Sequence, residues 1–542
     1  MNNKHPIKPL NTTNVEEYDA IIIGAGVSGL YQLYKLRELG LTVRVFEDAQ
    51  GVGGTWYWNR YPGCRFDSET ETYCYSWSEE LLQEWDWKEH YSGQPENERY
   101  LNYVADKFNL REDIQLDSRV TSAVYDESAS CWEVQVENGQ LARAQFLIGA
   151  VGVLSAKYVP AFPGVESFGG ESFHTSNWPK EEVDFSGKRV ACIGTGATAI
   201  QLIPIVAEQA GHLTVFQRTA NYAAPCRNSE VDPEVQAHWK ETYPAIHKKC
   251  RQTPLGFAHD FDPRSALEVS EEERLAVYEK LWTRPGFAKW LGNFHDIFTN
   301  AEANETFSEF VRNKIRQRVH DPEVAELLVP TDHLFGSKRP PLETHYYEAF
   351  NRDNVKLVDI RNSPIQSITA TGIKTQEAEY EFDVIIYATG FDAVSGPLTR
   401  IDIRGEKGQS FKEKWADGPR NYLGIQAAGF PNFFIGASSA FINYTVCAEM
   451  MVEWITDCIG YVRRNNFSSI VPSLKAEQKW VDHKEEIGSQ TLLFSTNTKN
   501  WFNGGNIPGK AQVIQMYANT LPEYRKEFNE SAANDYKEFV LR

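Results

Sequence analysis

A strand that runs into a glycine turn and then a helix occurs twice in this chain, at Gly24 and again at Gly194. That duplication limits the folds open to it. The first copy has a β-branched run, Asp19 to Ile23, then Gly24-Ala25-Gly26-Val27-Ser28-Gly29, a helical stretch with Leu30, Leu33, Leu36 and Leu39, and a strand Val43 to Phe46 closed by Glu47. The second has Arg189 to Ile193, Gly194-Thr195-Gly196-Ala197-Thr198-Ala199, a helix with Ile200, Leu202, Ile203 and Val206, and a strand Leu213 to Phe216. Short, continuously apolar strands of this kind suit a parallel sheet covered on both faces. The copies stand too far apart to share one βαβ unit, so the chain reads as α/β, with two Rossmann-like dinucleotide-binding domains.

Three glycines alone are a weak signal; the strand before, the helix after and an acid ending the second strand give them meaning. Gly24, Gly26 and Gly29 are expected to bind the first dinucleotide: Gly24 and Gly26 permit a tight turn and close backbone approach, and a pyrophosphate then sits on the helix N-terminus. Glu47 accepts hydrogen bonds from a ribose diol. In the second copy the acid is replaced by Gln217-Arg218-Thr219. An acid there would repel a 2′-phosphate, whereas the Arg218 fork pairs with one, which predicts NADPH rather than NADH.

The remaining segments place these units in the chain. Tyr100 to Ala150 reads as alternating strands, among them Arg119 to Tyr125, Trp132 to Val136 and Phe146 to Gly149. Asp232 to Leu328 carries charge and aromatics at helical spacing, as in Ser270 to Trp282 and Phe307 to His320, and reads as a helical insertion. The expected division is a FAD-binding domain over 1–152 and 386–542 and an NADP-binding domain over 153–385, with the insertion at about 226–330.

Two dinucleotides imply that NADPH reduces a flavin, which passes electrons onward. A net charge of −19 argues against nucleic-acid or anionic-membrane partners. The 8 cysteines contain no CxxC pair, which disfavours a dithiol acceptor and fits reduced thiols in the cytoplasm. The 12 histidines show no HxxxH pair, so no metal site is expected, and no GxSxG elbow supports acyl transfer. The polar stretch from Met1 to Tyr18 has no apolar signal core, and no run reaches the ~18 apolar residues of a spanning helix. Molecular oxygen is the most economical acceptor.

Residues Phe168-Gly169-Gly170-Glu171-Ser172-Phe173-His174-Thr175-Ser176-Asn177-Trp178-Pro179 fit FxGxxxHxxxW(P/D), and with a glycine motif on either side the chain resembles type I Baeyer–Villiger monooxygenases. Gly53 to Gly63, Phe335 to Arg339, Ala388 to Asp392 and Asn506 to Lys510 look like the same family, over essentially the whole chain. The resemblance is to members acting on aryl, cyclic and terpenoid ketones. It implies FAD and NADPH as cofactors, O2 and a ketone as substrates, and an ester or lactone formed through a peroxyflavin and a tetrahedral adduct.

It also implies roles for individual residues. Arg339, stiffened by Pro340 and Pro341, maps to the arginine that stabilises negative charge, with Asp67 behind it. Gly54, Thr55, Trp56 and Gln94 fall at flavin-pocket positions. Lys338 and Arg218 look like the 2′-phosphate clamp, with Thr195, Gly196, Thr219 and Trp501 flanking the nicotinamide nucleotide. His174 and Trp178 are expected to couple nucleotide binding to domain rotation. The loop bordering the substrate would include Ser438, Phe441 and Asn443. It departs from the family in lacking a Gly-Pro pair, and Val151 stands where a Ser or Thr is usual. A monomer or homodimer is expected. The alternatives are a flavin monooxygenase acting on nitrogen or sulfur, an uncoupled NADPH oxidase, and a flavin-bound sensor.

Overall fold

The computed structural model describes residues 15–436, 440, 442–495 and 498–542. Two sheets carry the site. The first has eight strands, ordered Asp402–Arg404, Val120–Asp126, Cys131–Val136, Leu141–Gly149, Glu16–Ile23, Val43–Phe46 and Ile114–Gln115, with Phe433–Ile435 also paired to Leu141–Gly149. The second has five parallel strands, ordered Val355–Asp359, His212–Gln217, Arg189–Ile193, Val384–Tyr387 and Glu171–His174. Its interior is mostly apolar, with Val190, Ala191, Cys192, Leu213, Val215, Ile385 and Ile386 all fully buried.

The two copies superpose in logic as well as in sequence. Each first strand ends at its glycine turn, with Gly24 N–H donating to Phe46 O at 2.8 Å and Gly194 N–H to Phe216 O at 3.0 Å. Gly24 has φ +104° and Gly194 +116°, and a Cβ would fall 2.6 Å from Ala150 O or 2.4 Å from Ala388 O. No other residue fits either place. Ala150 and Ala388 begin the two connections between the folds, so the turns face one another across the crossover.

The helix Val27–Glu38 buries Leu30, Leu33 and Leu36, but Leu39 is its exposed C-cap and not part of that stripe. Tyr100 to Lys107 is helix, not strand: Gln94–Lys107 buries Tyr100, Leu101, Val104 and Ala105 on one face. The strand Val384–Tyr387 pairs on both sides inside the second sheet, so a division at 385/386 would cut it; the chain leaves that sheet after Tyr387. It then returns to the first sheet through Asp402–Arg404 and Phe433–Ile435, and Tyr444–Arg464 packs against Val27–Glu38, with Gln32 Nε2 donating to Thr456 Oγ1 at 3.0 Å.

Helices Pro233–Cys250, Glu271–Trp282, Ala288–Leu291, Ala301–Arg316 and Pro322–Leu328 form the insertion. Ser270, Asn300 and Asp321 cap three of them through side-chain oxygens. The fourth starts at Ala301, six residues before Phe307, because Asn300 receives Glu302 N–H and Ala303 N–H there. Among the described residues no helix is long and apolar enough to cross a membrane.

Candidate active site

One cleft of about 1860 Å³ runs between the two glycine turns. A drug-sized ligand needs ~300–1,000 Å³, so the space suits more than one such molecule. Gly24, Gly26, Glu47, Gly54, Thr55, Trp56 and Asp67 line one end and Gly194, Thr195, Gly196, Arg218, Thr219 and Lys338 the other. Gly26 and Gly196 head their helices without a side-chain cap, leaving first-turn N–H groups for an anion.

At the first end Glu47 is buried, and its oxygens accept the N–H of Ala25 at 2.6 Å and of Ala49 at 2.9 Å. Burial pushes its carboxyl up, and the two backbone donors oppose this. The same contacts hold the carboxylate still beside the turn, with lone pairs to spare for a ribose diol. Trp56 is fixed by its indole N–H donating to Tyr73 OH at 2.8 Å.

At the second end Thr195 Oγ1 donates to Thr219 O at 2.8 Å, tying the glycine turn to the segment after the next strand. Arg218 is exposed and makes no hydrogen bond or ion pair among the described residues. Lys338 Nζ lies 3.7 Å from Asp332, whose other oxygen meets His333 Nδ1 at 2.6 Å. Burial lowers the Lys338 pKa, and Arg218 lowers it further. Both cations line the cleft, and a 2′-phosphate entering there meets the two of them. These residues therefore fit the adenine end of NADP.

Between the ends stands Arg339. NH1 donates to Asp67 Oδ2 at 2.6 Å and NH2 to Oδ1, while the guanidinium lies 5.6 Å from the Phe287 ring centre. Burial disfavours its charge, but Asp67 more than offsets this and holds the pKa above its ordinary value. Around it the insertion contributes an apolar wall that sequence reasoning did not assign: Leu255, Phe257, Phe287, Trp290 and Leu291. They come from two stretches of the insertion, 255–257 and 287–291, that only the fold brings to one cleft, so no local pattern marks them.

Several expected site residues lie elsewhere. Gln94 is beneath the cleft, its Nε2 bracing Trp56 O at 2.5 Å and Glu98 at 2.8 Å. Gly29 also sits off the cleft, where a Cβ would fall 1.9 Å from Gly24 O, so it serves helix packing. His174 Nδ1 accepts the N–H of Ser176 at 3.1 Å, so its proton is on Nε2 and points to Tyr158 O at 3.3 Å. Burial pushes its pKa down to about 4. It is neutral and outside the cleft, yet its partners Tyr158 and Ser176 line it. Trp178 packs on Phe173 and Phe185. Asn443 is buried and does not line the cleft: it caps Tyr444–Arg464 and its Nδ2 donates to Thr72 O and Gly256 O. Ser438 and Phe441 lie outside the described residues. Trp501 lines the cleft, its ring tilted against that of Phe502 with centroids 3.9 Å apart, and the neighbouring Asn506 and Lys510 bond to Phe391, Asp392 and Ala393 of the second connection.

Residues 18–227 match the model of the family described as flavin-binding monooxygenase-like. A 2-oxo-Δ3-4,5,5-trimethylcyclopentenylacetyl-CoA monooxygenase of Pseudomonas putida is 46% identical over 96% of this chain and 98% of its own. A Baeyer–Villiger monooxygenase of Pseudooceanicola batsensis is 40% identical over 98% of each. The chain belongs to the Baeyer–Villiger type of the flavin-binding monooxygenase-like family. A phenazine N-monooxygenase of Lysobacter antibioticus is 41% identical over 97% of each chain, so this family also holds a relative named for nitrogen. A crystal structure of OTEMO in complex with FAD and NADP matches with a TM-score of 0.93 and 45% identity, covering 98% of this chain and 100% of that one. The two glycine turns and the cleft between them are thus features of a family fold, and the Arg339–Asp67 pair lies in that cleft.

Proposed function

We propose that this flavin-binding monooxygenase uses NADPH and O2 to convert ketones, cyclic, terpenoid or aryl, into esters or lactones. The observation that carries the reading is the pairing of a half-buried Arg339 with a buried Asp67, facing a cleft that runs between two dinucleotide cradles. FAD lies on the fold of Gly24 and Glu47, NADP on that of Gly194 and Arg218. Bound FAD supplies the activation of O2, and bound NADPH supplies the hydride that recharges it.

The chain's own residues do the rest. Arg339 stabilises negative charge that develops on the ketone oxygen when its carbonyl carbon is attacked, the setting in which a fixed cation away from water has most effect. Asp67 keeps the guanidinium oriented. Leu255, Phe257, Phe287 and Trp290 bind the hydrocarbon body of the ketone and exclude water from it. Arg218 and Lys338 select NADPH by its 2′-phosphate. We also place the enzyme in the cytoplasm, in keeping with 8 free cysteines. One chain carries both cradles and the pair between them, which is compatible with a monomer or homodimer.

The test is aerobic incubation of the FAD-loaded protein with NADPH and a ketone panel under labelled oxygen. An ester or lactone gaining one labelled atom, with little peroxide, is the expected result. NADPH consumption with peroxide alone would instead identify an oxidase. The phenazine relative gives a second reading, oxygenation of nitrogen or sulfur. Electron-rich heteroatoms need no cation to stabilise a carbonyl oxygen, so Arg339→Ala separates the two: heteroatom products survive it, whereas ketone products do not.

A further inference from the structure

Two residues beyond Asp67, Glu69 makes contacts that the reaction as described does not use. Its Oε1 accepts the Nε2–H of His259 at 2.8 Å and the backbone N–H of Phe287 at 3.0 Å. Those donors come from separate stretches of the insertion. His259 is joined to the wall through its own N–H, which donates to Phe257 O at 2.8 Å. The Phe257 and Phe287 rings meet edge to face at 5.1 Å, and Phe287 is the ring beneath Arg339.

We propose that Glu69 is a positioning residue for the ketone: through His259 and Phe287 it holds the two stretches of wall against which the substrate lies. Asp67 fixes the cation and Glu69 fixes the wall, so one short segment of the first fold sets the distance between them. This rests on the ketone reading given above.

Three further features support the tether. Glu69 only accepts, so His259 carries its proton on Nε2. Burial raises the Glu69 pKa, but His259 more than offsets this and holds it below the usual carboxylate range, which keeps the acceptor charged. Gly286, at φ +63°, is where a Cβ would fall 2.2 Å from Glu69 Oε1. The backbone there is built to let the carboxylate in.

The experiment compares full-length, FAD-loaded wild type with His259→Leu and His259→Gln, using cyclohexanone within the ketone panel as probe. The glutamine Nε2–H reaches the same oxygen, so it serves as the conservative rescue. Expected in His259→Leu are a KM for ketone raised about tenfold, more peroxide per NADPH, and flavin reduction by NADPH within twofold of wild type. Hydrogen exchange followed by mass spectrometry should quicken over residues 255–260 and 286–291, and His259→Gln should restore all of these. A leucine variant with wild-type KM and wild-type exchange overturns the proposal. So does a parallel loss of flavin reduction, which marks a merely structural histidine. Glu69→Gln, which keeps the shape and removes the charge, is expected to raise KM in the same direction; an unchanged KM there counts against the tether. If the wild type makes no ester from any ketone, the ketone reading has failed and this inference falls with it.

Discussion

Arg339 and Asp67 meet as a two-pronged ion pair that joins the second dinucleotide fold to the first, with the backbone N–H of Leu342 donating to the same Asp67 oxygen at 3.0 Å. Three donors on one carboxylate leave no freedom for the guanidinium to turn. Asp67→Asn offers a single acceptor oxygen, so Arg339 loses a prong and its neutralising charge. Ketone turnover is expected to fall about 100-fold, the scale of losing one preorganised charge-stabilising contact. Stopped-flow absorbance should show flavin reduction by NADPH retained. Arg339→Lys should be no better, since an ammonium cannot span both oxygens. Equal losses in both half-reactions would refute this division of labour.

The cations at the second glycine turn set cofactor choice. Arg218→Ala removes a donor with no other partner among the described residues, so its loss is expected to raise the NADPH KM and leave the NADH KM unchanged. A charge-assisted hydrogen bond contributes about 1.5–3 kcal/mol, which corresponds to roughly 10- to 150-fold. Lys338 adds a pH dependence. Its lowered pKa means that it loses its charge at a lower pH than a free lysine, so NADPH preference weakens on the alkaline side. That alkaline step should vanish in Lys338→Ala. Equal use of both cofactors by the wild type would sink the assignment.

The glycine turns, their flanking strands and Glu47 were legible because each is a local pattern, and the structure keeps Val43–Phe46 and Arg189–Ile193 at the expected bounds. Arg339, Asp67 and the clamp residues were legible only through family resemblance, since nothing in their neighbours' spacing marks them. What could not be read was depth. Gln94 and Asn443 point into the protein, where each amide satisfies backbone carbonyls, although Asn443 stands between two cleft residues in sequence. The wall is illegible for the opposite reason, as Leu255 and Trp290 stand in separate stretches of the insertion and share the cleft only in the folded chain. Tyr100 was misread because its apolar neighbours satisfy both periods until Val104 and Ala105 are counted.

Asn443 gives a direct test of that correction. It caps a helix of 21 residues and also donates to Thr72 O at 2.9 Å and Gly256 O at 3.1 Å while almost fully buried. Losing a cap costs about 1 kcal/mol, and each unpaired buried polar group about 1–3. Asn443→Ala leaves both carbonyls unpaired and is therefore expected to destabilise the protein by about 3–7 kcal/mol, read as a lower Tm, with the product distribution across the ketone panel unchanged. A shifted distribution with an unchanged Tm would restore Asn443 to the substrate loop.

Glu71 carries a pH signature of the fold. Burial pushes its carboxyl up to about 8, and the nearby Glu69 charge adds to the effect. The native state then holds this proton from about pH 4.5 to 8 while the unfolded chain has released it. More protons bound in the native state means that stability falls as pH rises across that window, by about 1.4 kcal/mol for each pH unit. Glu449, pushed up to about 7 by burial, acts in the same direction. Glu71→Gln removes the ionisable group without changing its shape. The Tm of the FAD-loaded variant should match wild type near pH 5 and exceed it near pH 8, flattening the profile. If the two profiles stay parallel from pH 5 to 8, Glu71 is ionised in the folded protein and the sign argued here is wrong.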